Sequence, residues 1–162
     1  MDVSTYRLSD SIRIGRPAAE VYAIVSDVTR MGELSPVCTS CIWDDVSQAG
    51  REGAWFTGRN VIGDFTWDTR CHVDSAVPGK NFAFLNCGPG GEAALVRWAY
   101  ALEEKDGETM VTESWQVLPA YPDYVTADNP TADVAACIDG FVALTQAGLR
   151  DTLANLKRVA EA

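Results

Sequence analysis

Apolar and polar residues alternate over positions 6–14, with Tyr6, Leu8, Ile12 and Ile14 on one side and Arg7, Ser9, Ser11 and Arg13 on the other. That period of two predicts a half-buried strand. Asp10 interrupts the apolar side, which puts the first half of the strand near an edge. Pro17-Ala18-Ala19-Glu20 opens a short helix carrying Val21, Tyr22, Ile24 and Val25. A second helical turn is predicted over 28–34, stopped by Pro36. From Val37 the period returns to two. Strands are predicted over 38–43, 55–62, 65–74, 81–85, 93–104 and 109–118, separated by turn chemistry such as Gly63-Asp64, Pro78-Gly79 and Asp106-Gly107. Strands joined by such short turns form an antiparallel meander.

The last stretch, 131–160, changes to helical spacing. Val134, Ile138, Phe141, Thr145, Leu149, Thr152, Leu156 and Val159 share one side, Val142 and Leu153 flank it, and Arg150, Lys157, Arg158 and Glu161 solvate the other. Asn129-Pro130 supplies a start signal of cap and first-turn proline. Thr145, Thr152 and Gly148 are smaller or more polar than a tight seam requires, so the helix is expected to cover a hollow. Residues 119–130, with Tyr121, Pro122, Tyr124 and Pro130, read as an irregular connection: either a lid over one end of that hollow or a plain crossover. The economical arrangement is an α+β fold, one seven-stranded curved antiparallel sheet wrapped round a long C-terminal helix, with two short helices after the first strand.

Composition narrows the function classes. The 162 residues fit one domain, and 23 acidic against 13 basic residues give a net charge of -10. Such a balance repels nucleic acid and anionic membrane surfaces, and no local basic cluster offsets it. No run reaches a membrane span, and the first residues carry neither a basic leader nor an apolar core. Five irregularly spaced cysteines fit reduced thiols, and a cytoplasmic location is expected.

Ile14-Gly15-Arg16-Pro17-Ala18-Ala19-Glu20-Val21-Tyr22, Val25-Ser26-Asp27 and Leu34-Ser35-Pro36 resemble the opening of the START-like (SRPBCC) superfamily, nearest its polyketide cyclase/dehydrase and lipid-transport branch. Phe65-Thr66-Trp67, Pro78-Gly79-Lys80-Asn81-Phe82-Ala83-Phe84, Trp98 to Leu102, Thr109 to Trp115 and Leu153-Ala154-Asn155-Leu156-Lys157 continue the likeness in order. The resemblance spans nearly the whole chain as a single START-like domain. It implies a helix-grip fold with an apolar cavity between sheet and terminal helix. Its members include cyclases, carriers and stress proteins, so it leaves the chemistry open.

On the strand face that would line such a cavity, Glu113 stands between Val111 and Trp115. A carboxylate there is costly unless paired, and its pKa would rise, which suits a general acid or base or an anchor for a ligand hydroxyl. With the opposite strand parity it would be solvated. Trp67, Trp98, Tyr100 and Trp115 share that face, and each alone reads as ordinary core. Together, beneath Phe141, Thr145 and Leu149, they read as the walls of a pocket for an apolar or aromatic ligand.

Three further motifs carry less. Cys71 and the lone His72 are strand neighbours that point to opposite faces, with Asp68 and Arg70 on the side of His72. Cys38-Thr39-Ser40-Cys41 has half a zinc site's spacing with no second half, and a redox CxxC belongs at a helix start, so neither role is expected of it. Gly88-Pro89-Gly90-Gly91 lacks the lysine of a phosphate loop and reads as a hairpin tip near the cavity mouth. The first functional expectation is a carrier of a small hydrophobic or aromatic ligand, with no cofactor, metal, nucleic acid or stable membrane association. The second is a cofactor-independent aromatase/cyclase or dehydratase with Glu113 as acid or base and Tyr100 as helper. A ligand-free interaction module is the third. Ligand and oligomeric state are not legible.

Overall fold

The computed structural model describes residues 1–162. In chain order the elements are β1 (Arg7–Ile14), α1 (Ala18–Val25), α2 (Met31–Leu34), β2 (Cys38–Trp43), β3 (Trp55–Ile62), β4 (Phe65–Val77), β5 (Asn81–Asn86), β6 (Val96–Lys105), β7 (Glu108–Val117), α3 (Tyr121–Asp128) and α4 (Val134–Ala160). All seven strands join one antiparallel sheet in the order β1-β7-β6-β5-β4-β3-β2. Every pairing from β2 to β7 is between neighbours in the chain, and β1 returns to pair with β7. The two-residue connection Asp106-Gly107 has positive φ at both positions, 55° and 78°, the hairpin geometry that matches strand twist. This is the α+β arrangement of curved sheet and terminal helix that the periodicities predict, and the helix-grip fold that the family resemblance implies.

The region after β7 departs from expectation. Residues 121–128 form a helix where an irregular connection was predicted, with Pro122 in its first turn, where the missing N–H is not needed. Asn129 ends that helix instead of starting the next. The cap of α4 is Asp133, whose carboxylate accepts from the Ala136 N–H at 3.0 Å.

The apolar side of α4 is anchored at two places. Ile138 enters a small cluster with Val3, Val96, Trp115 and Val117. Leu153 and Leu156 enter the main core with Val21, Val25, Phe56, Phe82 and Tyr100. Each fully buried aliphatic side chain contributes roughly 1.5–3 kcal/mol. Polar ties fix the C-terminal end: Lys157 Nζ donates to the Arg13 carbonyl at 2.9 Å, Arg16 Nε to the Ala160 carbonyl at 3.0 Å, and Asn155 Nδ2 to the Leu34 carbonyl at 2.9 Å. Between the anchors, Phe141, Thr145 and Gly148 are only half-buried.

Glycine at position 32 is required by a close approach. A Cβ there would stand 2.3 Å from the Thr39 carbonyl oxygen, a backbone atom that cannot swing aside. Gly32→Ala is therefore expected to push α2 away from β2 and to destabilise the protein by roughly 1–3 kcal/mol, read from the denaturant midpoint at unchanged m-value.

Candidate functional site

A cavity of about 530 Å³ lies between the sheet and the middle of α4. That is within the range of small-molecule sites, and nineteen of its 31 lining residues are hydrophobic. Strand alternation supplies the floor. Phe56, Gly58, Asn60 and Ile62 of β3, Trp67, Thr69 and Cys71 of β4, and Trp98 and Tyr100 of β6 all point into it. Helix α4 roofs it with Phe141, Leu144, Thr145, Gly148 and Thr152. A Cβ built at Gly148 meets nothing within 4 Å, so the helix faces empty space there.

Of the residues singled out from the sequence, Trp67, Trp98, Tyr100, Glu113, Trp115, Phe141 and Thr145 meet at this one cavity. Leu149 does not. It is buried outside the lining, because it is turned away from the side of α4 on which Phe141, Thr145, Gly148 and Thr152 face the cavity. His72 lies on the outer face, with its ring 4.5 Å from that of Trp55, while Cys71 points inward.

The lining also includes residues not read as site residues. Tyr121 and Tyr124 of α3 close one end. Tyr121 meets Phe141 edge-on at 6.0 Å, and Phe141 meets Trp115 edge-on at 5.8 Å, so an aromatic chain links α3 and α4 to the sheet. The tyrosines' i, i+3 spacing on either side of Pro122 is the available signal. Ile62, Phe65, Tyr124 and Leu144 line the cavity yet are exposed, which marks an apolar mouth between the β3–β4 hairpin tip, α3 and α4. Asn60 and Thr69 bring polar atoms, already joined at 3.3 Å.

Glu113 is only 3 % exposed. It pairs across β6–β7 with Tyr100 and across β1–β7 with Asp10. Its Oε2 has no hydrogen-bond partner. Burial pushes the carboxyl pKa up to about 8; the Tyr100 hydroxyl opposes the rise and the negative charge of Asp10 adds to it. Burial and the adjacent carboxyl push the Tyr100 hydroxyl well above its ordinary value. The floor of the cavity thus holds a carboxylic acid, neutral at pH 7, one oxygen of which is buried without a hydrogen-bond partner. No group of three or more His, Cys, Asp or Glu side chains is placed to hold a metal ion. No helix is long and apolar enough to cross a membrane.

Sheet, gripping helix and internal cavity together define a START-like ligand-cavity fold. The family model for polyketide cyclase / dehydrase and lipid transport matches residues 5–161, and the chain belongs to that family. A polyketide-cyclase-like protein of Corynebacterium glutamicum, solved by NMR, is 34% identical over 96% of this chain and 91% of its own, with a TM-score of 0.60. The di-domain aromatase/cyclase BexL of the BE-7585A biosynthetic pathway superposes with a TM-score of 0.67 at 19% identity, over 97% of this chain and 50% of its own. A second di-domain aromatase/cyclase, StfQ of the steffimycin pathway, gives 0.66 at 11% identity over 96% of this chain and 50% of its own. This chain spans half the length of those two enzymes, and at such identity the likeness is one of fold. No curated protein matches the chain.

The Glu113 shift has a thermodynamic consequence. A carboxyl raised from 4.5 to about 8 on folding keeps its proton longer in the folded than in the unfolded protein. Its contribution to stability is complete below pH 4.5 and is lost as the pH rises to about 8. Glu113→Gln lacks the titrating group. The difference in unfolding free energy, variant minus wild type, should grow in the variant's favour across that window and level off above it, by an amount on the order of a few kcal/mol, read from denaturant midpoints at a series of pH values.

Proposed function

We propose that residues 1–162 work as one START-like domain that binds a small apolar or aromatic molecule carrying a carbonyl or hydroxyl group. The observation that supports this most directly is the unpartnered Oε2 of Glu113 in the floor of a largely apolar cavity. An unsatisfied buried polar atom costs about 1–3 kcal/mol, and a guest that hydrogen-bonds to it recovers that energy. Aromatic walls from Trp67, Trp98, Tyr100 and Trp115 would supply the apolar area, and Phe141 and Thr145 would cover it.

A second reading is a cofactor-independent cyclase or dehydratase. What favours it is the paired Glu113 and Tyr100, with the acid near neutrality, where proton transfer in either direction is least hindered. The aromatase/cyclase neighbours have the same fold, and their activity comes to this chain only as a proposal. Carriage remains the first reading, because Glu113 is the one ionisable carboxyl in the lining and a multistep reaction needs more convergent polar groups.

An environment-sensitive apolar fluorophore bearing a carbonyl should bind wild type at one per chain. Thr145→Trp should abolish binding yet leave unfolding cooperative, since the new ring enters empty space. Loss of stability by roughly 1–3 kcal/mol with binding intact would mean a solid core and sink both readings. Glu113→Gln keeps the shape: a carrier still binds, whereas an acid–base enzyme loses turnover of a polyketide-like substrate by roughly 10²–10⁴-fold.

A further inference from the structure

On β2, Cys38 and Cys41 are three residues apart, an odd spacing that in a regular strand sends side chains to opposite faces. Here both line the cavity. The cause is a bulge. Cys38 pairs with Asn60 and Ser40 with Arg59, so two residues of β2 advance against one of β3 and Thr39 is the extra residue. Beyond it Cys41 returns to register opposite Gly58, and the two sulfurs meet at 3.4 Å. Gly58 leaves room for them: a Cβ there would lie 3.5 Å from both sulfurs and 3.3 Å from Thr69 Oγ1. Bulge and glycine together place two thiols in contact on the wall of an apolar cavity. Cys71, Cys87 and Cys137 are also free, but none of them touches a second sulfur.

We propose that Cys38 and Cys41 are a redox-active dithiol, closed to a disulfide by an apolar hydroperoxide that enters through the cavity mouth. The inference rests on the cavity being open to apolar guests. The contact with Cys41 holds the Cys38 thiol below the ordinary thiol range, while Cys41, which shares its proton with Cys38, is held above it. Cys38 is also the more accessible of the two, half-buried where Cys41 is buried, and is therefore the attacking sulfur. Its thiolate takes the terminal peroxide oxygen, the O–O bond breaks, and the alkoxide leaves and collects the proton that Cys38 gave up. The Cys41 sulfur then attacks the resulting Cys38 sulfenic acid. The S–S bond forms, the S–O bond breaks, and hydroxide leaves as water with the Cys41 proton. Two thiols are oxidised to one disulfide, and the hydroperoxide is reduced to an alcohol and water. The bulge that re-aims Cys38 gives the pair this role without the helix start on which such motifs otherwise sit.

The test uses the full chain carrying Cys137→Ser, which removes the exposed thiol on α4. It is treated with cumene hydroperoxide, denatured, alkylated and mapped by mass spectrometry. The expected product has lost two hydrogens and bears one bridge, within the peptide holding Cys38 and Cys41. Cys38→Ser should form no bridge. Cys41→Ser should stop at a Cys38 sulfenic acid that dimedone captures. Occupying the cavity with the apolar fluorophore should suppress bridging. Full alkylation of Cys38 and Cys41 in a protein that binds the fluorophore overturns the dithiol and leaves the binding reading standing. A bridge to Cys71, or bridging that ignores cavity occupancy, overturns it as well. Wild-type mapping decides the matter even if a variant fails to fold.

Discussion

Helix α4 is held by its ends. Ile138 is packed into one cluster and Leu153 and Leu156 into another, and the turns between them bridge a gap that neither cluster fills. A helix is stiff over 27 residues, so once both ends are fixed the middle cannot sag to close the gap. Side chains could fill it, but Thr145 and Gly148 are too small, and Phe141 leans instead towards Trp115 and Tyr121. The cavity follows from these small residues over a rigid span. It needs no special loop, and the hydrogen bonds from Lys157, Arg16 and Asn155 hold the span against the β1–α1 and α2 regions.

Within that hollow, the energetics of Glu113 follow from how it is buried. A buried, unpaired carboxylate would be far more costly than a buried carboxylic acid, and the group takes the cheaper form by holding its proton to about pH 8. A neutral acid can donate or accept, so in the proposed binding role this one residue would serve a ligand carbonyl or a hydroxyl equally well. The cross-strand partner Tyr100 limits where that acid can point, because both side chains are on the same face of the sheet. Position is thus fixed by sheet register and protonation by burial.

Much of this was legible in the residues because it depends on alternation. Trp98, Tyr100, Glu113 and Trp115 are readable as one face from parity alone, and the sheet places them on the cavity wall. What escaped reading depends on local exceptions to period. Helix α3 is eight residues long with few apolar positions, too short for a 3.6-residue period to declare itself, so Tyr121 and Tyr124 passed as loop residues. The cap of α4 is misread, though not the range in which the helix begins, because Asn129 and Asp133 are both competent caps and only the geometry of α3 shows that Asn129 is already in use. Leu149 reads as a pocket residue because helical spacing identifies a broad apolar side of α4 but not which part of that side faces hollow and which faces core, and Thr152 beyond it does face the cavity.

The thiol pair is the clearest case of a site that parity reasoning hides. The sequence offers no second half of a zinc site and no helix start for a redox CxxC, and an odd spacing on a regular strand separates its sulfurs further; one extra backbone residue at Thr39 brings them together. The bulge is itself accommodated by Gly32, whose missing side chain lets α2 rest on the Thr39 carbonyl. A second glycine, Gly58, clears the space beneath the sulfurs. The cavity therefore has two chemically different walls. Glu113 and Tyr100 stand on β7 and β6, and the soft, polarisable sulfurs of Cys38 and Cys41 stand on β2, separated by three intervening strands. The curve of the sheet nevertheless brings the thiols within electrostatic reach of Tyr100, whose hydroxyl they help to push upward. In the proposed binding role a guest would meet a carboxylic acid and a thiol pair in one apolar hollow, and a few such polar groups among apolar walls would orient it.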